Sequence, residues 1–131
     1  MNKKKGGKIA AVIDIGSNLL KMRICQLRKG EIVTLDRLQY PLNLGHEVFT
    51  GGKISFESLR ELSSILHGYS DIMAEYGVDQ YKVVATTALR EAKNRVYVLD
   101  QLKIQNDMTV EVLEDSQEKT LIYSEILAGL Q

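Results

Sequence analysis

The stretch VIDIGSNLLKM, Val12 to Met22, runs from an apolar segment into an aspartate, a glycine, a serine and an asparagine, and places Lys21 seven residues after Asp14. Two local structures fit this spacing. One is a tight turn between strands, with the aspartate bonded to its own backbone. The other is an anion cradle, in which Gly16 lets the backbone approach closely and successive N–H groups join the Ser17 hydroxyl in holding oxygens. The flanking sequence must decide. Upstream, Ile9 to Ile15 is almost continuously apolar, the pattern of a strand covered on both faces. Downstream, Leu20 to Leu27 alternates, with Leu20, Met22 and Ile24 set against Lys21, Arg23 and Cys25, so one face of that strand is wetter. Lys29-Gly30 reads as a hairpin turn, and Glu31 to Leu38 as a third strand ended near Tyr40-Pro41. The opening is therefore an antiparallel meander of three strands.

Beyond it, a glycine-punctuated loop is expected through Leu44, Gly45, Gly51 and Gly52. Ser55 reads as an N-cap, although Ser58 is too short to complete a capping box. Phe56, Leu59, Leu62, Ile65, Leu66, Tyr69, Ile72 and Met73 recur at helical spacing, and Gly77 ends that helix. Tyr81 to Thr86 is a short strand, Leu89 to Leu102 a helix, and Thr109 to Leu113 a further strand. Asp115 with Glu118 has the form of a capping box for a last helix reaching Leu130. The order is β-β-β-α-β-α-β-α. Strands that alternate with helices pair in parallel through crossovers. The expected fold is α/β, a mixed five-stranded sheet with helices packed on it, and the succession is that of the ribonuclease H-like half-domain that actin-like ATPases contain twice. Residues 1–8 are expected to form a flexible basic leader and residues 9–131 one lobe.

Composition bounds the partners. The chain has 131 residues, enough for one continuous core. Seventeen basic and seventeen acidic residues cancel, so no global charge argues for nucleic acid or a membrane surface, and an anion site must be local. No apolar run approaches the ~20 residues of a membrane span. Cys25 is the only cysteine, which excludes an internal disulfide framework and fits a reducing, cytoplasmic setting. It reads as a small core residue. His46 and His67 stand apart and suggest no metal site.

Three strand ends carry the candidate chemistry. At the first, Asp14 could orient a water-coordinated magnesium, Gly16, Ser17 and Asn18 could bind phosphate oxygens, and Lys21 could add a point charge. At the second, Thr86, Thr87 and Arg90 open a helix, and arginine suits bidentate phosphate contact. The third, Glu111 to Glu118, places acids where a general base could lie. Each has a plain structural alternative: a turn, a capped helix, first-turn acids compensating a helix dipole. In an open α/β sheet, however, ligands gather at the carboxyl ends of strands, and all three converge there.

The segments AAVIDIGSN, LNLG through GGKIS, VVATTALREAKN and VEVL leading into LIY occur in this order over nearly the whole chain. In them the chain resembles the exopolyphosphatase and guanosine-pentaphosphate phosphatase family, within the actin-like ATPase superfamily. The resemblance implies two such lobes around a cleft in which polyphosphate or guanosine pentaphosphate loses its terminal phosphate to water, helped by magnesium. It implies phosphate binding by Gly16, Ser17, Asn18, Lys21 and Arg90 and a metal or water role for Asp14, and Thr87 joins the expected phosphate ligands by its place at the second strand end. The family's third segment, of the form S-G-x-E-E-A-R, places its base at Gln117, a side chain that cannot accept a proton near neutral pH. Glu118 or Glu114 could substitute after a small shift of the helix start. The second lobe is expected to lie outside this chain, and the surface it would cover could drive self-association into a homodimer. The rival reading is a catalytically degenerate module that binds a phosphate chain or nucleotide and regulates.

Overall fold

Every residue of the first strand, β1 (Ile9–Ile15), is buried, as an apolar run between two layers must be. The structure, a computed structural model, describes residues 7–114 and 116–129, with 116 and 117 as backbone only. Most of the expected leader, Asp115, Leu130 and the side chain of Gln117 lie outside the described residues.

Strands β2 (Leu19–Arg28) and β3 (Glu31–Pro41) complete the expected antiparallel meander. Their turn holds Lys29 at φ 50° and Gly30 at φ 80°, the doubly left-handed geometry whose twist suits a two-residue hairpin. A bulge at Ile24/Cys25 shifts the β2–β3 register. Strand β4 (Gln80–Ala85) lies parallel to β1, and β5 (Val110–Val112) parallel to β4, in the order β3-β2-β1-β4-β5. The mixed five-stranded α/β sheet expected from the sequence is the one observed.

Alternation along the strands sorts side chains between two cores. On one face Ile9, Ala11, Ile13 and Ile15 join Leu20, Met22, Val83 and Ala85 beneath helices α2 (Phe56–Tyr76) and α4 (Arg95–Asn106). Helix α2 supplies Leu59, Leu62, Leu66, Tyr69 and Met73, each about one helical turn from the next. On the other face Ala10, Val12, Cys25 and Val84 meet Ile122 and Ile126 of helix α5 (Ser116–Ala128). Asp14 continues the Ala10, Val12 series and so points to the α5 side.

Two expectations are corrected. The glycine-punctuated segment is helix α1 (Leu44–Gly51), held down by Leu44 and Val48 at (i, i+4), with Gly52 at φ 80° as its C-cap. The helix expected over Leu89 to Leu102 is two helices, α3 (Thr87–Glu91) and α4, with an extended break at Ala92. The break has a tertiary cause. Lys93 N–H donates to Gly52 O at 2.8 Å, while the Asn94 amide accepts from Ile54 N–H at 3.1 Å and donates to Ile54 O at 2.9 Å. Continuous helix through 92–94 would forfeit these bonds to a neighbouring segment, and no local periodicity announces them.

The start of α2 also draws on a neighbour. Ser55 Oγ accepts from Ser58 N–H at 3.1 Å, but Ser58 cannot reach back to the N-cap. Glu47 of α1 takes that part: its carboxylate accepts from Ser55 N–H (2.9 Å), Ser55 Oγ (2.9 Å) and Ser58 Oγ (2.6 Å). Burial alone would raise the Glu47 pKa, but these three donors outweigh it and hold the carboxyl below its ordinary 4.5. The result is a capping box closed between two helices.

Candidate functional site

The β1–β2 turn sits at the carboxyl end of β1. Gly16 N–H closes it on Leu19 O at 3.0 Å, and the loop is tied to the start of α1, where Leu42 N–H and Gly45 N–H donate to the carbonyls of Asn18 (3.0 Å) and Ser17 (2.8 Å). The approach is so close that a Cβ on Gly45 would stand 2.8 Å from the Ser17 Cβ. Ser17 is half-buried and Asn18 exposed.

The residues that the sequence places in one crevice are divided between two clefts. The first, about 700 Å³, is lined by Ser17, Gly45, Thr87 and Lys93 together with the Phe49–Gly52 end of α1. The second, about 540 Å³, is lined by Asp14, Lys21, Arg23, Arg37, Lys119 and Tyr123, with Gln39 at its side. Strand geometry explains the division. Asp14 faces Lys21 directly in the β1–β2 register, and directly paired residues project to the same side of a sheet. The backbone reverses after Ile15, and Ser17 emerges toward α1 and α3 instead.

Asp14 is 4% exposed. Its Oδ2 is paired with the Lys119 ammonium, and its Oδ1 is buried with no hydrogen-bond partner among the described residues. Tyr123 lies one helical turn beyond Lys119, and burial first, then the negative charge of Asp14, raises its phenol pKa above 10. The phenol is therefore a neutral donor near neutral pH. Arg23 Nε donates to Thr34 Oγ1 at 3.0 Å, and Arg37 is exposed.

Arg90 divides its donors between two backbone carbonyls and neighbouring side chains, with Nε 3.8 Å from Glu91 Oε1. Nη1 donates to Leu113 O at 2.7 Å and Glu114 O at 2.6 Å, and Nη2 reaches Thr87 Oγ1 at 3.5 Å. It thus ties the β4–α3 turn to the β5–α5 turn. Glu118 Oε2 accepts from Glu114 N–H at 2.8 Å, closing the latter turn on itself. Gly16, Asn18, Arg90 and Glu118 line neither cleft.

Sequence reasoning missed Arg23, Arg37, Lys119 and Tyr123. The wetter face of β2 was a signal for Arg23. The spacing of Lys119 and Tyr123, one turn apart on a helix, points both to one face, but only the packing of α5 on β1 brings them to Asp14.

The magnesium implied by the resemblance does not fit the described donors. Asp14, the carboxylate that lines the smaller cleft among the described residues, already carries an ammonium on Oδ2, and a dication beside that ammonium would meet like charge.

Comparison with known proteins agrees with the fold and names the family. The sequence pattern of the Ppx/GppA phosphatase family matches residues 23–131. Among solved structures, the Aquifex aeolicus member of the Ppx/GppA protein family is 31% identical with a TM-score of 0.80, the match covering 85% of this chain and 36% of that one. An exopolyphosphatase from Cytophaga hutchinsonii is 25% identical with a TM-score of 0.80, covering 87% and 36%. This chain thus spans little more than a third of the length of either. With 109 of its 131 residues inside the family pattern, the chain belongs to the Ppx/GppA phosphatase family.

Proposed function

We propose that this chain acts as the amino-terminal lobe of an exopolyphosphatase-like phosphohydrolase, which takes a phosphoanhydride chain and releases its terminal phosphate to water. Inorganic polyphosphate and guanosine pentaphosphate are the two substrates of that chemistry. The observation that supports it best is the gathering of the β1–β2, β4–α3 and β5–α5 turns at the carboxyl ends of strands β1, β4 and β5, in a chain whose family is one of phosphatases. The likeness to the Cytophaga exopolyphosphatase favours the polyphosphate branch.

In this reading Ser17 and Thr87 hydroxyls and the Lys93 ammonium hold phosphate oxygens in the larger cleft, while Gly16 and Gly45 keep the backbone close. Arg90 acts on phosphate indirectly, by fixing the turn that leads into Gln117. Phosphoryl transfer relies mainly on positioning and charge stabilisation, so a misplaced turn costs rate. Arg90→Ala is expected to lower kcat for polyphosphate hydrolysis by about tenfold or more in the full-length protein. Unchanged kinetics would remove Arg90 from the machinery.

A second reading, a catalytically degenerate module that binds the phosphate chain, is favoured by the glutamine at the family's base position and by the ammonium on Asp14. Phosphate release by the full-length protein separates the two. Robust release with Gln117 in place defeats the degenerate reading. Release that is absent, and restored by Gln117→Glu, supports it.

A further inference from the structure

We propose that Lys119 is the resident cation of Asp14, and that the cleft they share with Lys21, Arg23 and Arg37 binds a linear phosphoanhydride chain without a divalent metal ion. The inference rests on the phosphate-chain reading above and assigns it a second subsite and a counter-ion. Three observations carry it. The Asp14 carboxylate is buried and one oxygen is already neutralised by the Lys119 ammonium, which is the charge state a bound cation would otherwise create. Among the described residues the cleft walls bring four cationic side chains to one acidic one, a local excess of three positive charges in a chain whose total charge is zero. The remaining carboxylate oxygen, Asp14 Oδ1, is buried without a partner among the described residues, and an unsatisfied acceptor of that kind is rare unless a ligand or water donates to it.

The charge pattern favours a linear phosphate chain over a nucleic acid. Cations sit at successive alternate positions of β2, Lys21 and Arg23, and across the β2–β3 register, where Arg23 pairs with Arg37. A chain with one charge per phosphate can follow such a row. Among the described residues a single aromatic side chain, Tyr123, lines the cleft, which offers no series of rings on which bases could stack.

Two measurements on the purified chain test this. Calorimetric titration with sodium tripolyphosphate, in chelator and again in magnesium, is expected to give dissociation constants within about twofold of each other, because the ammonium already supplies the charge. Lys119→Met, which keeps the apolar stem, is expected to weaken binding in chelator by about tenfold or more, and magnesium is expected to recover it. Lys119→Arg is expected to retain chelator-insensitive binding. The second measurement uses manganese alone, followed by electron paramagnetic resonance. The unsubstituted chain is expected to hold none at Asp14, whereas Lys119→Met gains a manganese site that adding Asp14→Asn removes. Circular dichroism melts establish that each variant is folded, and should Lys119→Met not fold, the unsubstituted chain and Lys119→Arg still decide. Manganese bound by the unsubstituted chain and lost in Asp14→Asn overturns the resident-cation assignment, as does tripolyphosphate binding that needs magnesium. No tripolyphosphate binding in either buffer overturns the phosphate-chain reading and the ligand half of this inference together, while the manganese result still decides the role of Lys119.

Discussion

At the scale of single residues, close approach and paired charge govern the two clefts. Gly45 is glycine because the Ser17 Cβ occupies the space a side chain would need. Gly45→Ala is expected to displace the Ser17 loop and cost about 1–3 kcal/mol through local overpacking. A thermal melt unchanged from the parent protein would show that the loop yields freely. Asp14 shows how far a residue's meaning depends on its surroundings. The pattern Asp-x-Gly-Ser marks a strand end and a turn, and it suits a metal-orienting carboxylate. The ammonium that meets Asp14 comes from a helix more than a hundred residues later in the chain, and nothing in the local pattern foretells it.

At the scale of elements, the fold uses side chains of one segment to finish another. Helix α2 lacks a glutamate at its third position, and Glu47 of α1 provides the acceptor instead. Glu47→Gln keeps one acceptor oxygen but loses the charge and is expected to destabilise the chain by about 1–3 kcal/mol. The pH dependence follows from the lowered pKa. A carboxyl that is more acidic folded than unfolded contributes its full stability above the ordinary value of 4.5, and that contribution is lost as pH falls through the folded value. Denaturant midpoints measured down from pH 6 are expected to fall less below 4.5 in Glu47→Gln than in the parent. Parallel curves would remove Glu47 from the acid response. The broken helix at Ala92 follows the same logic, since Asn94 serves the Ile54 backbone rather than its own helix.

At the scale of the whole molecule, the two layers on the sheet are unequal. Helix α2 is fixed by five buried side chains and by the Tyr69 hydroxyl, which donates to Leu20 O at 3.0 Å. Helix α5 is fixed mainly by Ile122 and Ile126, helped by the Lys119–Asp14 pair. Regions with fewer buried apolar contacts open at lower free energy. Hydrogen exchange is therefore expected to be faster in α5 than in α2 by about tenfold or more, and equal protection would show that α5 belongs to the same cooperative unit. Tripolyphosphate is expected to slow exchange in α5, because Lys119 and Tyr123 join that helix to the charged cleft.

Periodicity determined most of the architecture by itself. The apolar run of β1, the alternation of β2, the helical spacing of α2 and the Lys29-Gly30 turn specify a meander followed by strand–helix units, because burial on one face or two leaves a distinct repeat in the chain. The motif segments also led to the family. Only the tertiary structure decided that residues 44–51 are helical, that α3 and α4 are separate, that the site residues divide between two clefts, and that a lysine stands at Asp14. Each of these depends on atoms brought together from distant positions, as with Glu47 and Ser55, Asn94 and Ile54, or Lys119 and Asp14. A repeat along the chain records which face of an element is buried, and it holds no record of which distant donor will meet that face.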